Sequence, residues 1–180
     1  ANIPTPLTIR QDGEPEIELE ARYHTRPLRS PLYYAVRFGR RDRGGAWELQ
    51  LVHHKLHLSN PPDEIHRFEI THGFNLLTLN RAFDARGLTL RLGAGLVLAH
   101  PESIVRDEES DVGGILGSGY VLTGPAGLVG VGREFAVTDR FFFGADVQLI
   151  AARARVPVAN GTADAPNVAV HFLLGVGYRF

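Results

Sequence analysis

A chain of 180 residues with a formal charge of −1 is long enough for one substantial core and gives no electrostatic case for nucleic acid, since no basic run exceeds Arg40-Arg41. Cysteine is absent, which excludes a disulfide scaffold, thiol chemistry and cysteine-held zinc. Twenty glycines, eleven prolines and no apolar run approaching about 18 residues exclude a helical membrane span and argue for many strands.

In chain order, Met is missing even at position 1, so the chain reads as a processed product from which a secretory signal has been removed. Residues 1–14, with two prolines and no alternation, are expected to be a short tail, and 15–180 the folded domain. Ile17, Leu19, Ala21 and Tyr23 then interleave with Glu16, Glu18, Glu20, Arg22 and His24, the period-two pattern of a strand with one polar face. Similar alternation at Leu32–Phe38, Leu88–Leu98, Phe141–Leu149 and Val168–Phe180, and weaker patterns near 46–59, 65–82 and 118–137, bring the expected total to eight strands. A bulge is expected near Val52–His54, where the apolar positions change parity, and a second switch between Phe74 and Leu77. Pro125 is expected to precede the regular part of its strand.

Tight turns are expected at 41–45, 84–87 and 138–140, and longer loops at 27–31, 60–64, 100–118 and 156–167. Short turns on one rim, long loops on the other and an even strand number describe an all-β, eight-stranded antiparallel up-and-down transmembrane β-barrel. A soluble barrel would turn its apolar faces inward. The second faces of two strands, Thr89-x-Arg91-x-Gly93-x-Gly95 and His171-x-Leu173-x-Gly175-x-Gly177, are too glycine-rich for a soluble exterior and suit an interior that must house long polar side chains. Phe38, Trp47, Phe83, Phe135, Phe141, Phe142, Phe143, Tyr178 and Phe180 gather near the short turns and the C-terminus, as in an interfacial girdle.

The last eight residues, Leu173-Leu174-Gly175-Val176-Gly177-Tyr178-Arg179-Phe180, resemble the C-terminal signal of bacterial outer-membrane proteins. They share its terminal aromatic, a second aromatic two residues earlier, a glycine five before the end and alternate apolar positions, and differ in Leu173 where a polar residue is usual. The eight-strand plan is similar to the small outer-membrane barrels of the OmpA transmembrane domain, OmpX and OmpW types over about 15–180. The resemblance implies recognition by the β-barrel assembly machinery and an outer-membrane location among lipid and lipopolysaccharide. It also implies periplasmic N- and C-termini, residues 1–14 forming a periplasmic tail.

An eight-stranded barrel leaves room inside for side chains and little else. The expected lumen holds the charge network Glu16, Glu18, Glu20, Arg22, Arg37, Glu48, Arg91 and Asp146, with His24, Gln50, Glu69, Asn75, Glu134, Gln148 and His171 beside it. Both signs are present, so ion pairs are expected to close the lumen. His53, His54 and His57 raise the question of a metal, with His66 and His72 on the following strand. His53 and His54 face opposite ways, however, and about 13 Å separates His53 from His57. No metal site and no cofactor are expected. The acidic stretch of Glu102, Asp107, Glu108, Glu109 and Asp111 lacks EF-hand spacing and reads as a solvated loop.

One further segment carries nucleophilic chemistry. His57 and Ser59 share a face, and a hairpin through Asn60–Glu64 brings Glu69 beside them: base, nucleophile and orienting carboxylate. His57-Leu58-Ser59-Asn60 with the following-strand Glu69 resembles the outer-membrane lipid A 3-O-deacylases, which implies an acyl-ester hydrolase at the outer leaflet; it departs from them in lying on the expected strands at 46–59 and 65–82 and not on the last two, and in its shorter His-to-Glu spacing. The expected function is a non-enzymatic barrel with a closed, charged lumen, structural or interacting at the surface or binding a small apolar ligand that enters laterally. A lipid hydrolase and a narrow solute channel are the alternatives.

Overall fold

The computed structural model describes residues 1–110 and 112–180; Asp111, grouped above with the acidic stretch, lies outside the described residues. The strands are β1 (Asn2–Ile3), β2 (Thr5–Gln11), β3 (Ile17–Ala21), β4 (Tyr23–His24), β5 (Tyr34–Asp42) and β6 (Gly45–Leu58). There follow β7 (Ile65–Ala85), β8 (Leu88–Val105), β9 (Glu108–Glu109), β10 (Val121–Ala136), β11 (Phe141–Val158) and β12 (Gly161–Tyr178), with one 3-10 turn at Ile115–Gly117. All twelve belong to a single antiparallel sheet, ordered β3-β2-β12-β11-β10-β8-β7-β6-β4. β1 adds to β12, β5 to β6 and β9 to β8.

Among the described residues twelve strands replace the eight expected, for three reasons. The first expected strand is split at Arg22 into β3 and β4. The pair β8–β9 folds a hairpin out of the stretch 100–118 that had read as loop. Residues 1–14 are no tail: β1 and β2 pair with β12, and β2 also pairs with β3, Leu7 facing Leu19. Their alternation is real but is carried by Thr5, Leu7, Ile9 and Gln11, all buried, while Pro4, Pro6 and Arg10 are exposed. The loop expected over 156–167 is also strand. β11 and β12 run in unbroken register to Val158↔Gly161, because Ala152, Ala154, Val156, Ala163 and Ala165 are small enough to fill the crowded inner face.

Irregularities fall close to where the apolar parity changes. β6 and β7 shift register between His54 and Leu56 on one strand and Ile70 and Phe74 on the other. Against β8, the step Ile70↔Pro101 to Phe74↔Ala99 puts two extra residues into β7, with Gly73 at φ 144°. Pro125 lies inside β10 and opposite Leu96, contrary to expectation, next to a register shift between Leu122 and Gly124.

The sheet curls tightly enough that β6 and β11, which are not neighbours, exchange hydrogen bonds across its concave face: Gln50 Nε2 donates to Gln148 Oε1 at 2.9 Å, and Gln148 Nε2 to Gln50 Oε1 at 3.2 Å. Along the strands the polarity of the two faces inverts. Toward the rim of short turns the convex face is apolar and exposed: Leu49, Leu79, Leu90, Leu92, Val131, Phe143, Val147 and Leu174. Toward the other rim the apolar side chains turn inward, with Leu7, Ile9, Leu56, Ile70, Phe74, Leu76, Val97, Ile150 and Val156 all but fully buried in one core. There the convex face carries Arg10, Glu18, Glu20, Arg153 and Arg155.

Candidate functional site

From the turn rim inward, the concave face is a stack of polar layers. At the rim Arg41 pairs with Asp84 at 2.8 Å and with Glu134 at 3.3 Å, and Arg179 pairs with Glu134 at 2.8 Å. In the next layer Arg91 grips Glu48 with two bonds, Nε to Oε2 at 2.7 Å and Nη2 to Oε1 at 3.2 Å, and turns Nη1 to Asp146. Arg37 approaches the same two carboxylates at 3.5 Å each and donates Nε to Gln50 Oε1 at 2.9 Å. The side chain of Arg91 is only 2 % exposed, so a missing partner would leave a charge in low dielectric. Space for this layer comes from Gly132: a Cβ there would collide with Asp146 Oδ1 and come within 2.9 Å of Arg91 Nη1. Above the Gln50–Gln148 pair, Tyr33 Oη lies 2.6 Å from His171 Nδ1, and His54 Nε2 lies 2.9 Å from Asn2 Oδ1, where the apolar core begins.

Of the expected charge network, Arg37, Glu48, Arg91 and Asp146 converge. Glu16, Glu18, Glu20 and Arg22 do not. Their strand lies wholly in the half where apolar residues turn inward, so Ile17, Ala21 and Tyr23 are buried while the glutamates and Arg22 are exposed. Glu16 pairs instead with Arg10 at 2.6 Å on the convex side. His24 is likewise exposed. Phe142 leaves the expected aromatic girdle for the concave face, under the Arg179 guanidinium at 4.8 Å.

Among the described residues no backbone pairing joins β5 to the turn-rim half of β12. A cleft of about 930 Å³ opens along this seam, walled by Phe38, Phe172, Leu174 and Val176 and floored by Arg37 and Glu48.

The trio His57, Ser59 and Glu69 is assembled only in part. Cross-strand register puts His57 opposite Glu69, with Nδ1 3.3 Å from Oε1. Burial holds the imidazole below its ordinary pKa, although Glu69 pulls the other way. Ser59, by contrast, is occupied: its N–H and its hydroxyl each donate to the Arg22 carbonyl at 2.8 Å. Asn60 completes the clasp, accepting from the Arg22 N–H at 2.8 Å and donating to the Glu20 carbonyl at 2.9 Å. The Ser-Asn pair thus ties the β3–β4 break to the end of β6, and the Ser59 hydroxyl donates to the Arg22 carbonyl and not to His57.

The remaining histidines are spread out. His53 bonds Asn75 at 2.8 Å under the Tyr34 ring, and His66 sits 3.2 Å from Asp107. Glu108 accepts from Asn160 at 2.9 Å, so carboxylates of the acidic stretch turn to separate partners. One convergence escaped the sequence: His72, His100 and Glu102 bring their ligand atoms within 4.8 Å of one another. The signal for it was His100-x-Glu102, two metal-ligating side chains on one face of a strand. Comparison with known proteins adds no relative: no family model, no curated protein and no solved structure matches the chain.

Replacing Arg91 with Met should cost about 3–5 kcal/mol of stability, because Glu48 and Asp146 then face each other with Arg37 alone between them. Adding Glu48→Gln should recover part of the loss, since Arg37 keeps Asp146. Urea unfolding followed by Trp47 fluorescence measures both; a double variant weaker than the sum of its singles would contradict the coupling.

Proposed function

We propose that the chain is an eight-stranded outer-membrane β-barrel, closed inside by ion pairs, with a lateral cleft that takes an acyl chain from the surrounding lipid. Chain order supports closure: β3 and β4 end the sheet path and are separated only by Arg22, as two parts of one strand shared by both edges of a barrel would be. Counted as staves, β1–β2, β3–β4–β5, β6, β7, β8, β10, β11 and β12 are eight; β1–β2 follows only the Gly161–Ala169 half of β12, so seven reach the turn rim and the seam between β5 and β12 stands in the eighth place.

The observation that carries the reading is the apolar band on the convex face. Along β11 the outward side chains run Phe141, Phe143, Ala145, Val147, Leu149 and Ala151, and then change abruptly to Arg153 and Arg155. On tilted strands this band is about 25 Å tall, the height of an outer-membrane hydrocarbon layer. Trp47, Phe83, Phe135 and Tyr178 ring its turn-rim edge, and Arg81 lies over both Trp47 and Phe83 at 5.4 and 5.5 Å from the ring centroids, within cation–π reach. β8, β11 and β12 are each 18 residues long, well beyond what a span needs, so the half with its own apolar core stands outside the bilayer. With Arg37, Glu48, Arg91 and Asp146 mutually neutralised in the bore, a solute path is unsupported. The seam between β5 and β12 interrupts the band sideways, and its walls Phe172, Leu174 and Val176 continue the lipid-facing surface into the cleft.

An arginine at Leu92, in the middle of the band, should cost about 2–4 kcal/mol of folding stability in lipid vesicles, and one at Leu88, beside the turn, about 0–1 kcal/mol. Equal tolerance at the two depths would contradict a membrane-spanning barrel. For the cleft, Gly175→Trp is the probe, since a Cβ on Gly175 meets nothing within 4 Å. Native mass spectrometry should find a lipid retained by the parent protein and lost from this variant; retention by both would place the lipid elsewhere.

A further inference from the structure

We propose that His72, His100 and Glu102 form a binding site for a divalent transition metal of the zinc type, with a fourth position open to water or an anionic group. The proposal depends on the pairing of β7 with β8 and not on the membrane reading.

The three residues are built into position by separate devices. His100 and Glu102 are two apart on β8 and therefore share its convex face. His72 arrives from β7 because the two extra residues between Ile70 and Phe74 push it out of the ladder, a backbone course that Gly73 at φ 144° permits. His72 Nδ1 then lies 2.7 Å from Glu102 Oε1, and the two imidazole rings stand 5.1 Å apart at 44°. Zinc bound at about 2.0–2.2 Å by nitrogen and carboxylate oxygen requires ligand atoms somewhat more than 3 Å from one another. The atoms lie within 4.8 Å of one another, so small side-chain rotations reach that geometry, the His72–Glu102 pair opening from 2.7 Å as the metal takes the place of their hydrogen bond.

The surroundings hold the ligands as a second layer of a metal site does. Arg67 takes the other oxygen of Glu102 and leaves Oε1 facing the histidines. Tyr120 donates its hydroxyl to the His72 carbonyl at 2.5 Å and sets its ring edge-on to His100 at 5.1 Å. Gly119 closes over the His100 ring, where a Cβ would lie 2.5 Å from Cε1. His100 Nδ1 is buried and has no hydrogen-bond partner among the described residues, so this nitrogen is not committed elsewhere. A buried imidazole nitrogen without a partner costs free energy that a bound cation would offset. Two nitrogens and one oxygen suit zinc over magnesium or calcium, which favour all-oxygen shells. The His72 side chain is 58 % exposed, so the fourth position faces out of the protein.

The test is titration of the folded, chelator-treated protein with zinc by calorimetry, and with cobalt(II) by visible absorption. One equivalent should bind, and cobalt should give the intense bands of a four-coordinate centre. His100→Ala and Glu102→Gln should each weaken zinc binding by about a hundredfold or more, while His66→Ala, on an exposed imidazole outside the cluster, should leave it unchanged. His72→Ala, at an exposed bulge that carries no core contact, serves as the variant least able to disturb folding, and should abolish the cobalt bands. Absence of saturable binding below about millimolar zinc, or binding that survives all three substitutions, would overturn the site.

Discussion

The Arg91 side chain is almost wholly buried, and the interior is arranged around that fact. Its bonds to Glu48 and Asp146, with Arg37 against the same carboxylates, make a neutral set of two cations and two anions inside a cramped cross-section. Each member desolvates the others, so none is dispensable by itself. The rest follows from geometry. Gly132 has to lack a side chain beside Asp146, and the Gln50–Gln148 pair caps the charged layer before the apolar core begins. Because the polar groups are satisfied inward, the other face of the same strands is free to be apolar.

That freedom is used in one half only. Leu149 faces outward and Ile150, its neighbour, is buried inward; beyond them the inward residues are Ala152, Ala154 and Val156, and the outward ones Arg153 and Arg155. No bulge is needed in β11 for this inversion, since its register to β12 is unbroken. A sheet in water would be expected to bury one face throughout, and a sheet wholly within lipid the other. The coexistence of both on single 18-residue strands is the feature that the proposed division into a membrane-spanning part and a protruding part would account for.

Much of this was legible in the sequence because alternation with period two survives whichever face is buried. The strand positions, the tight turns and the convergence of Arg37, Glu48, Arg91 and Asp146 were readable on that basis. What was not readable was the height at which polarity inverts. Glu16, Glu18 and Glu20 carry the same pattern as a lumen-facing row, yet they sit above the inversion and face out. Pro4 and Pro6 masked the alternation of Leu7 and Ile9, and Pro157 and Pro166 masked the strands at the far rim. The pairing of His72 with His100 depends on a two-residue bulge in β7, which no local pattern specifies. Nor does any local pattern announce the partner of Ser59, whose hydroxyl donates to the Arg22 carbonyl.

The inversion along β11 is the claim on which the account turns, and the absence of native cysteine makes it directly measurable. Single cysteines introduced at the outward positions 141 to 157, spin-labelled in lipid vesicles, report whether each site collides with oxygen dissolved in lipid or with a nickel chelate in water. Labels at Phe143, Val147 and Leu149 should respond to oxygen, and labels at Arg153 and Arg155 to the chelate, with the change between Leu149 and Arg153. Uniform exposure to the chelate along the whole strand would contradict the account.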